Sequence, residues 1–324
     1  MKVLVTGASG FIGSAVTAAF VRHGHHVLAG VRGTRPAPPG VTTVHLDLGE
    51  HDSVVAAVAD VDVVCHLAAL TRVRDSQTDP LVYWWTNTVG TLRLLDALAG
   101  SRRAGAPAPR LVLASTCAVY GSTGAPRITE DHPTAPGTPY GASKLAADQA
   151  AADQAGTGTL GAVSLRAFNV AGAHGRTGDA DRTRLLPRAL SAAAGTGPAL
   201  EINGDGSAAR DFLHVEDMAE AFVSAAAHCA IGRWRAYNLG SGRGTSISEL
   251  VAAVERVTGR RVPRRHRAPA HEPVRLLADS TRARLELGWR PTRSTLDGIV
   301  GDAWRAYPGG PTPFTPRSAS MRRS

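Results

Sequence analysis

Short apolar runs alternate along the chain with longer stretches in which apolar residues return every three or four positions. Lys2 to Thr6, His26 to Val31, Thr43 to Leu46, Val61 to Leu67, Arg110 to Ser115 and Gly161 to Phe168 read as strands. Most are apolar throughout, the pattern of strands buried on both faces of a helix-covered parallel sheet. The first half, residues 1–168, is therefore expected to be an α/β domain with a doubly wound parallel sheet. Between strands, Leu81 to Leu98 places Trp85, Val89, Leu92 and Leu95 on one helical face, and Tyr140 to Gln154 is an alanine-rich helix. Gly90 inside the first of these costs about 1 kcal/mol against alanine, which predicts close packing there. After Phe168 the pattern loosens into glycine-containing loops with helices at Leu185 to Ala194, Val215 to His228 and Ser246 to Thr258. Residues 169–308 are expected to form a smaller substrate-binding lobe interleaved with the last sheet elements. Residues 309–324, rich in Pro, Arg and Ser, are expected to be a flexible tail.

Glycines mark where this architecture meets a ligand. Gly7-Ala8-Ser9-Gly10-Phe11-Ile12-Gly13 follows the first strand and opens a helix, the setting in which backbone amides hold a pyrophosphate in a Rossmann domain. An NAD site usually carries an Asp or Glu about 20 residues further on, at the end of the second strand. Here that strand ends Val31-Arg32. Arg32 either clamps a 2′-phosphate, favouring NADP, or is a solvated loop arginine. Asp47, read as ending the third strand, is placed to reach the adenine.

A second pattern carries chemistry. Tyr140 and Lys144 stand four residues apart on one helical face, where an ammonium favours the phenolate and the phenol becomes a general base toward a sugar hydroxyl. Thr116, at the end of the fifth strand, can hydrogen-bond the reacting oxygen.

Composition narrows the function. With 324 residues and 43% apolar content the chain can bury a substantial core. Cys65, Cys117 and Cys229 lack metal-ligand spacing and imply neither disulfides nor a metal site. The net charge of +9 is spread thinly and is almost all arginine, so it implies no nucleic-acid partner. No apolar stretch approaches the ~20 residues of a membrane span. The first strand starts at Lys2 and leaves no room for a signal segment, so a cytoplasmic location is expected.

With the glycine loop, the Ser115-Thr116 strand end and Tyr140-x-x-x-Lys144 in this order, the chain resembles the extended short-chain dehydrogenase/reductases, and among them the NAD-dependent sugar epimerases. Phe168 to His174, Arg210 to Asp217 and Tyr237 to Gly242 add to the likeness. It implies a catalytic set of Thr116, Tyr140 and Lys144. It implies dinucleotide contacts from Phe11, Ile12, Asp47, Leu48, Leu67, Ala68, Ala69, Thr71, Asn87 and Phe168, beside the loop glycines and Arg32. Asn169 and Arg210 would hold the diphosphate of a nucleotide sugar or related glycosylated molecule, and Leu185 would lie near the base. The likeness also implies a homodimer joined through the helices at Leu81 to Leu98 and Tyr140 to Gln154. Two departures stand out. Related dehydratases carry Asp-Glu after the threonine, where this chain has Cys117 and Ala118, so elimination is not expected. The family's second diphosphate arginine falls at Pro269 to Pro273, which leaves only Arg267 or Arg275 nearby and His271 at the expected position. The activities compatible with these residues are C4 epimerisation through a 4-keto sugar and, as the alternative, NADPH-dependent reduction of a keto sugar. A dinucleotide-sensing protein without chemistry is the third reading, disfavoured by retention of both Tyr140 and Lys144.

Overall fold

A computed structural model describes residues 1–33, 40–101, 107–269 and 274–308. Six strands follow the apolar runs: β1 (Lys2–Thr6), β2 (His26–Val31), β3 (Thr42–His45), β4 (Val63–His66), β5 (Arg110–Thr116) and β6 (Gly161–Ala167). β1 and β2 have the ends read from the sequence, and the other four differ from that reading by one or two residues. In particular β3 stops at His45, so Asp47 lies two residues beyond it, and β6 stops one residue before Phe168. A seventh strand, Trp234–Leu239, joins from the second half, giving the order 234–239, β6, β5, β4, β1, β2, β3 with all neighbours parallel.

Every residue of β4 and β6 is buried, which is why their sequences show no alternation. One face of the sheet is covered by α1 (Phe11–Arg22) and the Val215–His228 helix, through Phe20, Met218 and Phe222. The other is covered by α2 (His51–Val58), Gly90–Gly100 and Pro139–Gly156, through Leu94, Leu98 and Ala151. Each fully buried Leu or Phe contributes about 1.5–3 kcal/mol. A separate apolar cluster holds the Leu185–Ala194, Ile247–Thr258 and Leu296–Ala306 helices together.

Asp211 ties this second cluster to the sheet. Its fully buried carboxylate accepts from Ser241 N and Oγ at 2.7 and 2.6 Å, Gly242 N at 2.9 Å and Ala278 N at 3.1 Å. One side chain thus fixes the ends of three motifs distant in sequence. Asp217 does the same for the approach to the last helix, accepting from Thr292 N, Arg293 N and Ser294 Oγ. His214 is an anchor too: its Nδ1 accepts from Glu216 N, so Nε2 donates to Asp302 at 3.0 Å.

The segment read as one helix from Leu81 is helical but not uniform. Pro80–Tyr83 and Gly90–Gly100 are α-helical, and Trp84–Val89 between them is a π turn. Gly90 is explained by Leu48, whose Cδ1 lies 3.1 Å from where a Cβ would sit. The three cysteines are buried and free. Among the described residues no helix is long and apolar enough to cross a membrane.

Candidate active site

The strand order reverses between β1 and β4, and the residues singled out by sequence lie at the C-terminal ends of the strands around that point, where a parallel sheet opens into a crevice. Gly7 has φ +67°, and a Cβ on Gly13 would sit 2.1 Å from Gly7 O. Only glycines permit this tight turn. It ends in α1, whose N-cap Gly10 offers no side-chain cap and whose first turn holds no acidic residue. Backbone amides and the positive end of the helix dipole are left for an anion, so the cradle fits a dinucleotide pyrophosphate. Phe11 and Ile12 form the first turn, partly buried against the sheet core.

A chain of hydrogen bonds that sequence reasoning missed shapes the floor. Thr6 Oγ1 accepts from Leu67 N at 3.1 Å and Ala68 N at 3.0 Å, so its one proton goes to His66 Nδ1 at 2.8 Å. His66 Nε2 then donates to Thr91 Oγ1 at 3.1 Å, and Thr91 Oγ1 to Asn87 O at 2.6 Å. The last bond satisfies a carbonyl of the widened π turn. Burial pushes His66 down to about 3, so it stays neutral and keeps this tautomer. Asn87 is wholly committed as a donor, giving its two amide protons to Leu70 O and Ser143 Oγ while Oδ1 accepts from Leu70 N at 2.8 Å. It therefore shapes the Leu67 to Thr71 loop, with Ala69 between its fixed ends, and only its acceptor oxygen is left for a cofactor. A threonine ending β1 and a histidine ending β4 were the only available signals, and each side chain is common in structural roles.

Just beyond the ends of β2 and β3, Arg32 is exposed and Asp47 half-buried, with Asp47 Oδ1 accepting from Gly49 N at 2.8 Å. Leu48 is partly buried and packs on Gly90. Phe168 is buried beside Cys117 and Tyr120.

The helix Pro139–Gly156, which carries Tyr140 and Lys144, starts sharply because Thr138 caps it and Pro139 occupies its first turn. A Cβ on Gly141 would lie 2.6 Å from Ala118 O, so the helix presses directly on the turn that follows Thr116. Tyr140 is thereby buried with its hydroxyl close to the Thr116 side chain, and its ring meets Tyr83 edge-on at 6.4 Å. Burial, the largest effect, holds the phenol above the ordinary tyrosine range; the Thr116 side chain and the charge of Arg184 oppose it. This differs from the sequence expectation that Lys144 makes the phenol acidic. Lys144 is itself 2% exposed, and burial pushes it down to about 8.

Asp148, one helical turn on, is what keeps Lys144 from falling further. Its Oδ2 accepts from Arg166 Nε and Ser115 Oγ, both at 3.0 Å, while its buried Oδ1 has no hydrogen-bond partner. Arg166 in turn donates to Tyr120 OH at 3.0 Å, and Tyr120 to Asn238 Oδ1 at 2.8 Å. Asp148→Asn is expected to cost about 3 kcal/mol through the orphaned Arg166. The same change removes the charge that raises Lys144. Because the ammonium exists below its pKa and is lost above it, kcat/KM of the wild type should fall as pH rises through about 8. In the variant that limb should move to lower pH, which a pH–rate profile beside a urea titration tests.

The Asn169–Ala171 strand pairs with Ala209–His214 in a register that sets Asn169 opposite Phe212, two residues from Arg210, and Asn169 Nδ2 donates to Asp211 O at 3.2 Å. Leu185, half-buried, begins its helix. Thr71 is exposed on the rim. His271 and the tail 309–324 lie outside the described residues.

The NAD dependent epimerase/dehydratase family matches residues 3–240. A UDP-glucose 4-epimerase of Corynebacterium glutamicum is 39% identical over 318 residues, covering 94% of this chain and 95% of that protein. The chain belongs to this family. Among solved structures, the UDP-glucose 4-epimerase of Brucella ovis in complex with NAD is 36% identical with a TM-score of 0.87, covering 93% of this chain and 97% of that one. The protein MoeE5, solved with NAD and UDP-glucuronic acid, is 31% identical with a TM-score of 0.82, covering 93% and 97%. It was also solved with UDP-glucose. Burial pushes the Cys117 thiol up to about 12, and Ala118 cannot titrate, so neither can serve an elimination at neutral pH.

Proposed function

We propose that the chain inverts C4 of a nucleotide-activated sugar through a transient 4-keto sugar, using NAD that is restored in each cycle. The observation that carries this reading is the Tyr140 hydroxyl, buried against Thr116 at the mouth of the crevice, with Lys144 buried on the same helix face. Relatives along the whole chain are named UDP-glucose 4-epimerases, and structural neighbours hold NAD and UDP-sugars, which supports it.

When bound in the Gly7 to Gly13 cradle, NAD supplies a hydride acceptor and donor and a positive ring near the phenol. Everything else is work for side chains. Tyr140 takes the proton from the C4 hydroxyl and later returns it, while Thr116 holds the same oxygen in line. Thr116 and the charge of Arg184 are what favour the phenolate against burial, and Lys144 adds a positive charge one turn along the same helix. Asn169 and Arg210, on adjacent strands, grip the diphosphate while the keto sugar turns to present its other face. Leu185 borders the base. The test is turnover of UDP-glucose or a related UDP-sugar by purified protein: C4 inversion seen by NMR without net reduction of cofactor is expected, and stoichiometric NADPH consumption would instead establish a ketoreductase.

The apolar face of the 80–100 helical segment supports a homodimer. Leu81 and Trp85 are 66% and 64% exposed there, more apolar surface than a monomer usually leaves open on one helix. Sedimentation should give twice the 33.7 kDa chain mass, and a monomer would refute the pairing.

A further inference from the structure

We propose that Arg184 binds a carboxylate at C6 of the sugar, so that the substrate is a nucleoside diphosphate hexuronic acid. The inference deepens the epimerase reading and rests on it. Arg184 occupies the N-cap position of the Leu185–Ala194 helix, and its guanidinium reaches across the crevice to Thr71 Oγ1 at 3.4 Å. Thr71 ends the loop that Asn87 shapes beside the cofactor cradle. The wall beneath is continuous: Tyr140 meets the ring of Tyr83, Tyr83 OH donates to Arg72 O at 2.7 Å, and Arg72 Nε lies 3.5 Å from Asp181 Oδ2. Arg184 is close enough for its charge to act on the Tyr140 phenol.

That position has a chemical consequence. In a pyranose, C6 is carried by C5, the immediate neighbour of C4. With the C4 hydroxyl at Tyr140, the C6 substituent lies next to the reacting oxygen and can turn toward the side of the crevice that Arg184 and Thr71 border.

Two aspartates already face Arg184, and their geometry explains why it can still take an anion. Asp179 Oδ2 meets Nη1 at 3.2 Å and Asp181 Oδ2 meets Nε at 3.7 Å. Their Oδ1 atoms are spent on the loop itself, Asp179 accepting from Asp181 N and Asp181 from Thr183 N, each at 3.0 Å. Both acids are shielded, at 11% and 13% exposure, whereas Arg184 is 35% exposed. They hold the fork by its Nη1 and Nε sides. Nη2 has only the long contact to Thr71 among the described residues. A hydroxymethyl group would meet a guanidinium that gains little from it. A carboxylate would gain charge-assisted bonds in a partly desolvated site, which a planar donor fork favours.

The test is calorimetric titration of NAD-loaded protein with UDP-glucuronic acid and UDP-glucose, for the wild type, Arg184→Gln and Arg184→Lys. The wild type should bind the uronate more tightly by about tenfold or more, the scale of a charge-assisted hydrogen bond. Gln should collapse that ratio to within about twofold, and Lys should keep part of it because the charge remains. Equal wild-type affinities, or an equal loss of both sugars in Arg184→Gln, would overturn the proposal. NMR on the same mixtures separates the two readings. A uronate bound tightly without C4 inversion would sink the epimerase reading alone, while UDP-glucose bound preferentially and inverted would sink this inference alone.

Discussion

Replacing Tyr140 with Phe should lower kcat by about a thousandfold, the middle of the range for losing a positioned general acid–base group. The ring stays, so its edge contact with Tyr83 persists. Only the hydroxyl and its interaction with Thr116 are lost. NAD affinity should therefore change by no more than about fivefold, since one neutral hydrogen bond contributes about 1 kcal/mol. Steady-state turnover beside a cofactor titration measures both quantities. A variant that turned over normally would remove Tyr140 from the reaction.

Gly13→Ala should be the most damaging single methyl in the Gly7 to Gly13 cradle. The new Cβ would be placed 2.1 Å from Gly7 O and 2.9 Å from Gly7 C, backbone atoms that no side-chain rotation can move. Either α1 shifts away from the turn or the turn opens, and both misplace the amides meant for the pyrophosphate. A stability loss of about 3 kcal/mol, at the upper end for overpacking, is expected together with NAD binding weakened about a hundredfold. Chemical denaturation and cofactor titration would detect each. Retained affinity with unchanged stability would mean that the cradle does not hold the cofactor.

These two sites differ in how well the sequence announces them. The glycine turn is legible because its steric demand is local: three glycines between an apolar run and a helix specify a tight backbone turn whose amides stay open to a ligand. Tyr140 and Lys144 are legible because helical spacing alone puts i and i+4 on one face. What spacing cannot supply is environment. Lys144 is governed by burial and by Asp148, and the phenol by burial, Thr116 and Arg184, all consequences of how the helix packs on the Cys117–Tyr120 turn.

The same distinction runs through the fold. The six strands of the first half are readable within two residues because burial on both faces forces apolar runs. The seventh is not, since Trp234-Arg235-Ala236-Tyr237-Asn238-Leu239 carries a charged residue and an amide. Asn238 is tolerated in the sheet because Tyr120 OH donates to its Oδ1 and its Nδ2 donates to Ile128 O at 2.9 Å. The Thr6–His66–Thr91 chain and the Asp211 staple join residues 25 to 67 positions apart, and no local pattern encodes such contacts. Arg184 is hidden for a related reason: in a chain this rich in arginine, only the crevice around it distinguishes one from another.

In the proposed mechanism, hydrogen removed from C4 returns to the same carbon after Tyr140 has taken the hydroxyl proton. The most direct measurement is turnover of a UDP-sugar carrying deuterium at C4, in ordinary water, followed by NMR of the inverted product. The deuterium should remain at C4; replacement of that label by solvent hydrogen would contradict the mechanism.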